Sequence, residues 1–106
     1  MKNRFLSAFF VLSSVLCFAG GASAAEGPSP EKGRLLFNSF SLGGAATATS
    51  CASCHPSGAG LEKAWKNPNL EGQVNNCIAG PLKGSKLDVN SVEMQSLVLY
   101  IRSLKQ

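Results

Sequence analysis

The apolar positions of this chain repeat most clearly at its C-terminal end. Met94, Leu97, Val98, Ile101 and Leu104 recur every three or four residues, the spacing that gathers side chains on one helical face. Asn90 with Glu93 three positions on resembles a capping box and predicts the start of that helix. A second, shorter helix is predicted over residues 70–79. Val74, Cys77 and Ile78 fall at i, i+3 and i+4 and so share a face, Asn69 is placed to cap, and Gly80-Pro81 ends the run. A third is predicted over "PEKGRLLFNSF", residues 30–40. Ser29 can cap it, Pro30 suits the first position, and Glu31 faces the positive end of the helix dipole. Leu36, Phe37 and Phe40 lie on its neighbouring faces. Gly33, in the middle, costs about 1 kcal/mol relative to Ala, which signals either close packing by another element or simple tolerance.

Between these helices the pattern fades. "SLGGAATATS", residues 41–50, is small and polar apart from Leu42 and is expected to be a flexible loop. "GAGLEKAWKNPNLEG", residues 58–72, is expected to be mostly loop, given its Pro and Asn content. No stretch alternates strongly enough to be a strand, and there are no internal repeats. The prediction is an all-α domain with helices near both ends and irregular segments between them.

The first residues change the picture of what is working protein. Lys2 and Arg4 precede an uncharged apolar run, Phe5 to Ala19, and Ala22 and Ala24 then stand in A-x-A spacing. That order is the pattern of a secretory signal peptide. Residues 1–24 are expected to be cut off after Ala24, leaving 25–106 as one domain in the periplasm, with no stable membrane span. An uncleaved anchor is the alternative, although the run is short for a span of about 20 residues. A lipid-bearing Cys17 is a third reading, opposed by the bulky Leu16 before it.

Charge adds little. The chain has 10 basic and 6 acidic residues; without Lys2 and Arg4 the balance is eight against six, or +2, too weak to argue for nucleic acid. Size matters more. Removing 24 of 106 residues leaves 82, a domain small enough to need a staple. Three cysteines remain in it, Cys51, Cys54 and Cys77. An odd number cannot pair fully within one chain.

The staple is suggested by "CASCH", residues 51–55. Two thiols separated by two residues match the spacing of the two vinyl groups of haem, and the adjacent imidazole of His55 is placed to bind the iron from below. C-x-x-C-H is the attachment pattern of a c-type haem, and that attachment takes place outside the bacterial cytoplasm, in keeping with an export signal. Two other chemistries compete. A structural zinc ion wants four ligands, commonly two such pairs, and here there is one pair, one histidine and one remote cysteine. A thioredoxin-like redox pair belongs at a helix start in an alternating β/α chain, and no strands are predicted.

Over residues 30–106 the chain resembles the class I mono-haem cytochrome c family. Gly33 and Phe37 are similar to the family's N-terminal helix signature, "CASCH" to its haem motif, and "LVLYIRSL", with Leu97 and Tyr100, to its C-terminal helix signature. The resemblance implies a small fold in which the N- and C-terminal helices cross around one covalent haem, with Cys51 and Cys54 as thioethers, His55 as proximal iron ligand, and Gly33 small because the helices approach closely. The usual sixth ligand, a Met in a loop well before the last helix, is missing: Met94 is only six residues before Tyr100. Residues 74–94, "VNNCIAGPLKGSKLDVNSVEM", instead resemble a stretch in haem domains of thiosulfate-oxidising cytochromes, some of which use a cysteine as axial ligand. That makes Cys77 the candidate sixth ligand, with Met94 as the alternative. Cys77 keeps two other readings, a buried free thiol and an intermolecular disulfide. Lys83 and Lys86 could ligate only as neutral amines, and a solvated surface role suits them better. Trp65 is either packed in the core or a hydrogen-bond donor to a haem propionate through its indole N–H.

The expectation is therefore a periplasmic electron carrier rather than an enzyme, exchanging single electrons with other periplasmic redox proteins. No nucleophile–base–acid set is visible. The rivals are a haem subunit or partner of a sulfur-compound oxidoreductase, and a haem-based gas or redox sensor.

Overall fold

A computed structural model of the chain describes residues 27–106; the leader expected over 1–24 lies outside the described residues. Four α-helices follow one another: α1 (Pro30–Phe37), α2 (Cys51–Cys54), α3 (Leu70–Ala79) and α4 (Val92–Arg102). Single 3₁₀ turns lie at Leu42–Gly44, Pro56–Gly58 and Ala64–Lys66. Among the described residues there is no strand, and the domain is all-α.

α1 starts where the sequence placed it. The Ser29 hydroxyl accepts the Lys32 N–H at 3.1 Å, and Pro30 fills the first position. It stops at Phe37, short of Phe40. The Asn38 side chain donates to the Arg34 carbonyl at 2.8 Å, and the hydroxyls of Ser39 and Ser41 lie 3.1 Å apart. Polar side chains that bond the nearby backbone compete with helix continuation, and Phe40 is left exposed.

α1 lies against α4, and the contact is backbone-close. A Cβ on Gly33 would run into the Ser96 carbonyl and stand 2.7 Å from Tyr100 Cβ. Phe37 is buried and meets Tyr100 edge-on, with ring centroids 5.2 Å apart and planes at 63°. Leu97 is fully buried. The Ser29 N–H donates to the buried Ser96 hydroxyl at 3.1 Å, so even the helix entry is tied to α4.

The cap of α4 is Ser91, not Asn90. The Ser91 hydroxyl accepts the Met94 N–H at 3.1 Å and donates to the Asp88 carbonyl at 2.6 Å. Asn90 belongs to a turn led by Asp88, whose carboxylate accepts the Asn90 N–H at 2.7 Å. The box expected between Asn90 and Glu93 therefore does not form.

α3 matches its predicted bounds, with the Asn69 side chain accepting the Gly72 N–H at 3.3 Å and Gly80 at its end. Segment 41–50, expected to be flexible, is instead stitched to 80–87. Ser85 N–H donates to the Gly43 carbonyl at 2.7 Å and Ala46 N–H to the Leu82 carbonyl at 3.3 Å, and Leu42 is buried. Gly43 has a φ of 63°, and a Cβ there would sit 2.7 Å from both Ile78 and the Ser85 carbonyl. Buried Asn75 fixes the far end of the 80–87 segment. Its amide donates to the Leu87 carbonyl at 2.9 Å and accepts the Leu87 N–H at 2.8 Å, so it pairs as a backbone strand would.

Candidate functional site

The C-x-x-C-H segment forms one helical turn and then folds back. Ser50, buried just before α2, donates its N–H to the Ser53 hydroxyl at 3.0 Å, which closes the turn. Cys51 and Cys54 are then one turn apart, the separation at which helical side chains share a face. His55 ends the helix with φ −125° and ψ 67°. Beyond it the chain reverses through Pro56–Gly58. Gly58 has a φ of 82° and lies so close to Leu104, just past α4, that a Cβ would come within 2.6 Å of it.

This reversal brings the Ala59 carbonyl to His55 Nδ1, at 2.8 Å. A carbonyl only accepts, so Nδ1 carries the proton and Nε2 keeps its lone pair. The ring is thus oriented and its tautomer chosen for ligation through Nε2, the role that such a carbonyl plays beside metal-binding histidines. The turn is braced by Glu62, whose carboxylate accepts the Gly60 N–H at 3.0 Å. Hydrogen bonds from the Glu62 and Gly60 backbone N–H groups, with a smaller effect of His55, hold this carboxyl below its usual range.

Cys51, Cys54, His55 and Cys77 all line one cleft. Its walls are otherwise largely apolar, with Phe37, Leu61, Leu70, Val74, Leu82 and Ile101 facing it. It holds about 730 Å³ of space free of protein atoms, open solvent at its mouth included. All three thiols are free. Burial pushes the Cys51 thiol up to about 11, with neighbouring Cys77 and Cys54 adding to the effect. It therefore stays protonated at neutral pH and brings no charge into the apolar cleft. Among the described residues no three His, Cys, Asp or Glu side chains are gathered tightly enough to hold a metal ion.

The remaining site candidates divide sharply. On α3, Val74 and Cys77 face the cleft together with Leu70 and Gln73, while Ile78 turns into the core. Met94 is fully buried and is not among the cleft-lining residues. Lys83 and Lys86 are exposed on the 80–87 segment, away from the lining. Trp65 is neither core nor lining. It is exposed, with Lys66 Nζ 5.3 Å and Lys105 Nζ 5.6 Å from its ring centroid, and its carbonyl accepts Arg102 Nη1 at 2.7 Å. Sequence reasoning did not find Leu61, Leu82 and Ile101 as wall residues. Ile101 had a signal in the apolar spacing of α4; Leu61 and Leu82 sit in irregular segments with no period to read.

The residues suit a haem. The cleft offers two thiols one turn apart, an imidazole with its outer nitrogen already bonded, and walls apolar enough to bury a flat macrocycle. Compared with known proteins, the chain matches no family model, no curated protein and no solved structure.

Proposed function

We propose that the mature chain is a mono-haem c-type cytochrome of the class I kind, an exported periplasmic carrier of single electrons. The observation that carries this reading is the opening of Cys51, Cys54 and His55 into one largely apolar cleft, with His55 Nδ1 tied to the Ala59 carbonyl. When bound, haem supplies an iron that alternates between two oxidation states, with a potential set by ligands and burial. The chain supplies the rest. Cys51 and Cys54 would hold the group covalently, one thioether each. His55, with Nδ1 tied to the Ala59 carbonyl, would ligate the iron through Nε2. Phe37, Leu70, Val74, Leu82 and Ile101 exclude water. α1 packed on α4 through Gly33 agrees with the terminal-helix crossing that the family resemblance implies.

Cys77 is proposed as the sixth ligand, since it lines the cleft and Met94 does not. The same placement favours a second reading, a haem subunit or partner of a sulfur-compound oxidoreductase. Intact mass of the purified mature protein after acid–acetone extraction tests the main proposal. Mass retaining one haem is expected, and the mass of the bare polypeptide would overturn it. Turnover of thiosulfate by the holoprotein would move the assignment to the second reading.

A further inference from the structure

Two segments that carry cysteines are pinned together beside the cleft. Just before α2, the Ala46 N–H donates to the Leu82 carbonyl at 3.3 Å. The Thr47 hydroxyl donates to the same carbonyl at 3.2 Å and to that of Pro81 at 3.4 Å. Just after α3, the Leu82 N–H donates to the Cys77 carbonyl at 3.2 Å. Cys51 stands four residues past Thr47 on one segment, and Cys77 four residues before Pro81 on the other. Both are half-buried and line the cleft, whereas Cys54 lines it from an exposed position. Of the two other thiols, Cys77 acts more strongly on Cys51 than Cys54 does, although Cys54 is only one turn away.

We infer that, before haem is attached, Cys51 and Cys77 form a reversible disulfide that joins α2 to α3 at the cleft. The inference rests on the export part of the proposed function, which places the chain where thiols are oxidised. The chemistry is thiol–disulfide exchange with a disulfide oxidant such as glutathione disulfide. One cysteine, as thiolate, attacks the oxidant and forms a mixed disulfide, releasing one thiol. The other cysteine displaces the second thiol and closes the Cys51–Cys77 bond. Two protons and two electrons leave the chain, and the S–S bond of the oxidant becomes two thiols. The new bond spans 26 positions, against three between Cys51 and Cys54, and a longer loop restricts the unfolded chain more. It therefore staples a small domain while its haem is still to come. It also withholds Cys51 from thioether formation. Reduction frees Cys51 for the haem and leaves Cys77 as a thiol facing the cleft, so attachment becomes conditional on a reductant.

The test uses the whole mature chain, prepared without haem and equilibrated in mixtures of oxidised and reduced glutathione. Free thiols are trapped with iodoacetamide, and tryptic peptides are read by mass. Lys63 and Lys66 separate Cys77 from Cys51 and Cys54, so trypsin leaves the last two on one peptide and Cys77 on another. A cross-linked pair of peptides with Cys54 alkylated is expected to predominate. In guanidinium the short Cys51–Cys54 loop should gain on the long one by about tenfold, because chain entropy alone then decides. Reduction, or Cys77→Ser, should lower the helical circular dichroism of the oxidised chain. The inference is overturned if the bond lies between Cys51 and Cys54, if Cys54 is the partner of Cys77, or if the bond links two chains. It is equally overturned if the thiols stay free in oxidised buffer, if guanidinium leaves the ratio unchanged, or if reduction leaves the helix signal unchanged. The haem content of the natively exported protein is measured by mass on a separate sample, so the cytochrome reading and the disulfide can fail separately.

Discussion

Gly33 presents a bare Cα to the backbone carbonyl of Ser96, on the helix that lies across it. Helix propensity favours Ala over Gly by about 1 kcal/mol, yet a Cβ here meets backbone, which cannot rotate away. Overpacking of this kind costs about 1–3 kcal/mol. Gly33→Ala is therefore expected to lower stability in urea melts, and Gly33→Leu to lower it further. A mutant more stable than the parent would show that α1 is free to shift.

The cleft cuts into the core. Phe37, Leu70, Val74, Leu82 and Ile101 belong to the buried cluster and also line the opening. A haem bound at the proposed site would cover the apolar lining of the opening and bury its own apolar faces there, so the macrocycle itself would become a large part of a small core. At roughly 25 cal/mol per Å² of apolar area, burial of those faces would be large beside ordinary domain stabilities. Cys51→Ala combined with Cys54→Ala is expected to give a largely unfolded chain by circular dichroism. Cooperative, helical melting of the double mutant would contradict this.

Cys77 and Met94 make opposite predictions for the ferric absorption and paramagnetic resonance spectra. With Cys77 as sixth ligand, Cys77→Ala should convert a low-spin signal to a high-spin or water-ligated one, while Met94→Leu leaves it nearly unchanged. A thiolate would also stabilise the ferric state and lower the potential, by pushing electron density onto the iron. Loss of the low-spin signal in Met94→Leu alone would require Met94 to leave the core in which it is buried. An unchanged spectrum in both would point to a vacant site, tested by carbon monoxide binding of the reduced protein.

Asn75 holds both backbone groups of Leu87. Truncation to Ala leaves the half-buried N–H and carbonyl of Leu87 without this partner, and a lost bond of this kind costs about 1 kcal/mol or more. Asn75→Ala should therefore destabilise by about 2 kcal/mol or more and speed hydrogen exchange at the Leu87 amide. Asn75→Asp should keep that amide protected, since a carboxylate still accepts its N–H. It should still lower stability, because the Leu87 carbonyl then faces a negative charge. Equal exchange at Leu87 in both mutants would show that the pairing does not control this segment.

The parts of the fold legible in the sequence are those set by neighbours in the chain. Ser29 and Asn69 cap helices by bonding residues three positions on, and both stand where local chemistry puts them. Local reasoning failed at Asn90 because two adequate caps adjoin, and Asp88 decides between them by taking Asn90 into its turn. It failed at 41–50 for a different reason: the Gly-rich composition promised freedom, but Gly43 is left-handed and pinned by Ser85, which lies on a segment far along the chain. The site divides in the same way. Cys51, Cys54 and His55 were singled out by their spacing alone, and the fold opens all three into one cleft. Arg102 and Lys105 reach Trp65 only through the fold, so no period or motif announces that cluster.

The bond from the Ser29 N–H to the Ser96 hydroxyl joins residues 67 positions apart, and this has a consequence for the order of assembly. Closing a loop of that length costs about 4 kcal/mol in chain entropy, and few contacts repay it until α4 is in place. A chain delivered N-terminus first holds α1 without its partner until the last helix emerges. During that interval the segment with Cys51 and Cys54 lacks the wall that Ile101 of α4 gives the cleft. The meeting of the two end helices therefore completes the cleft last.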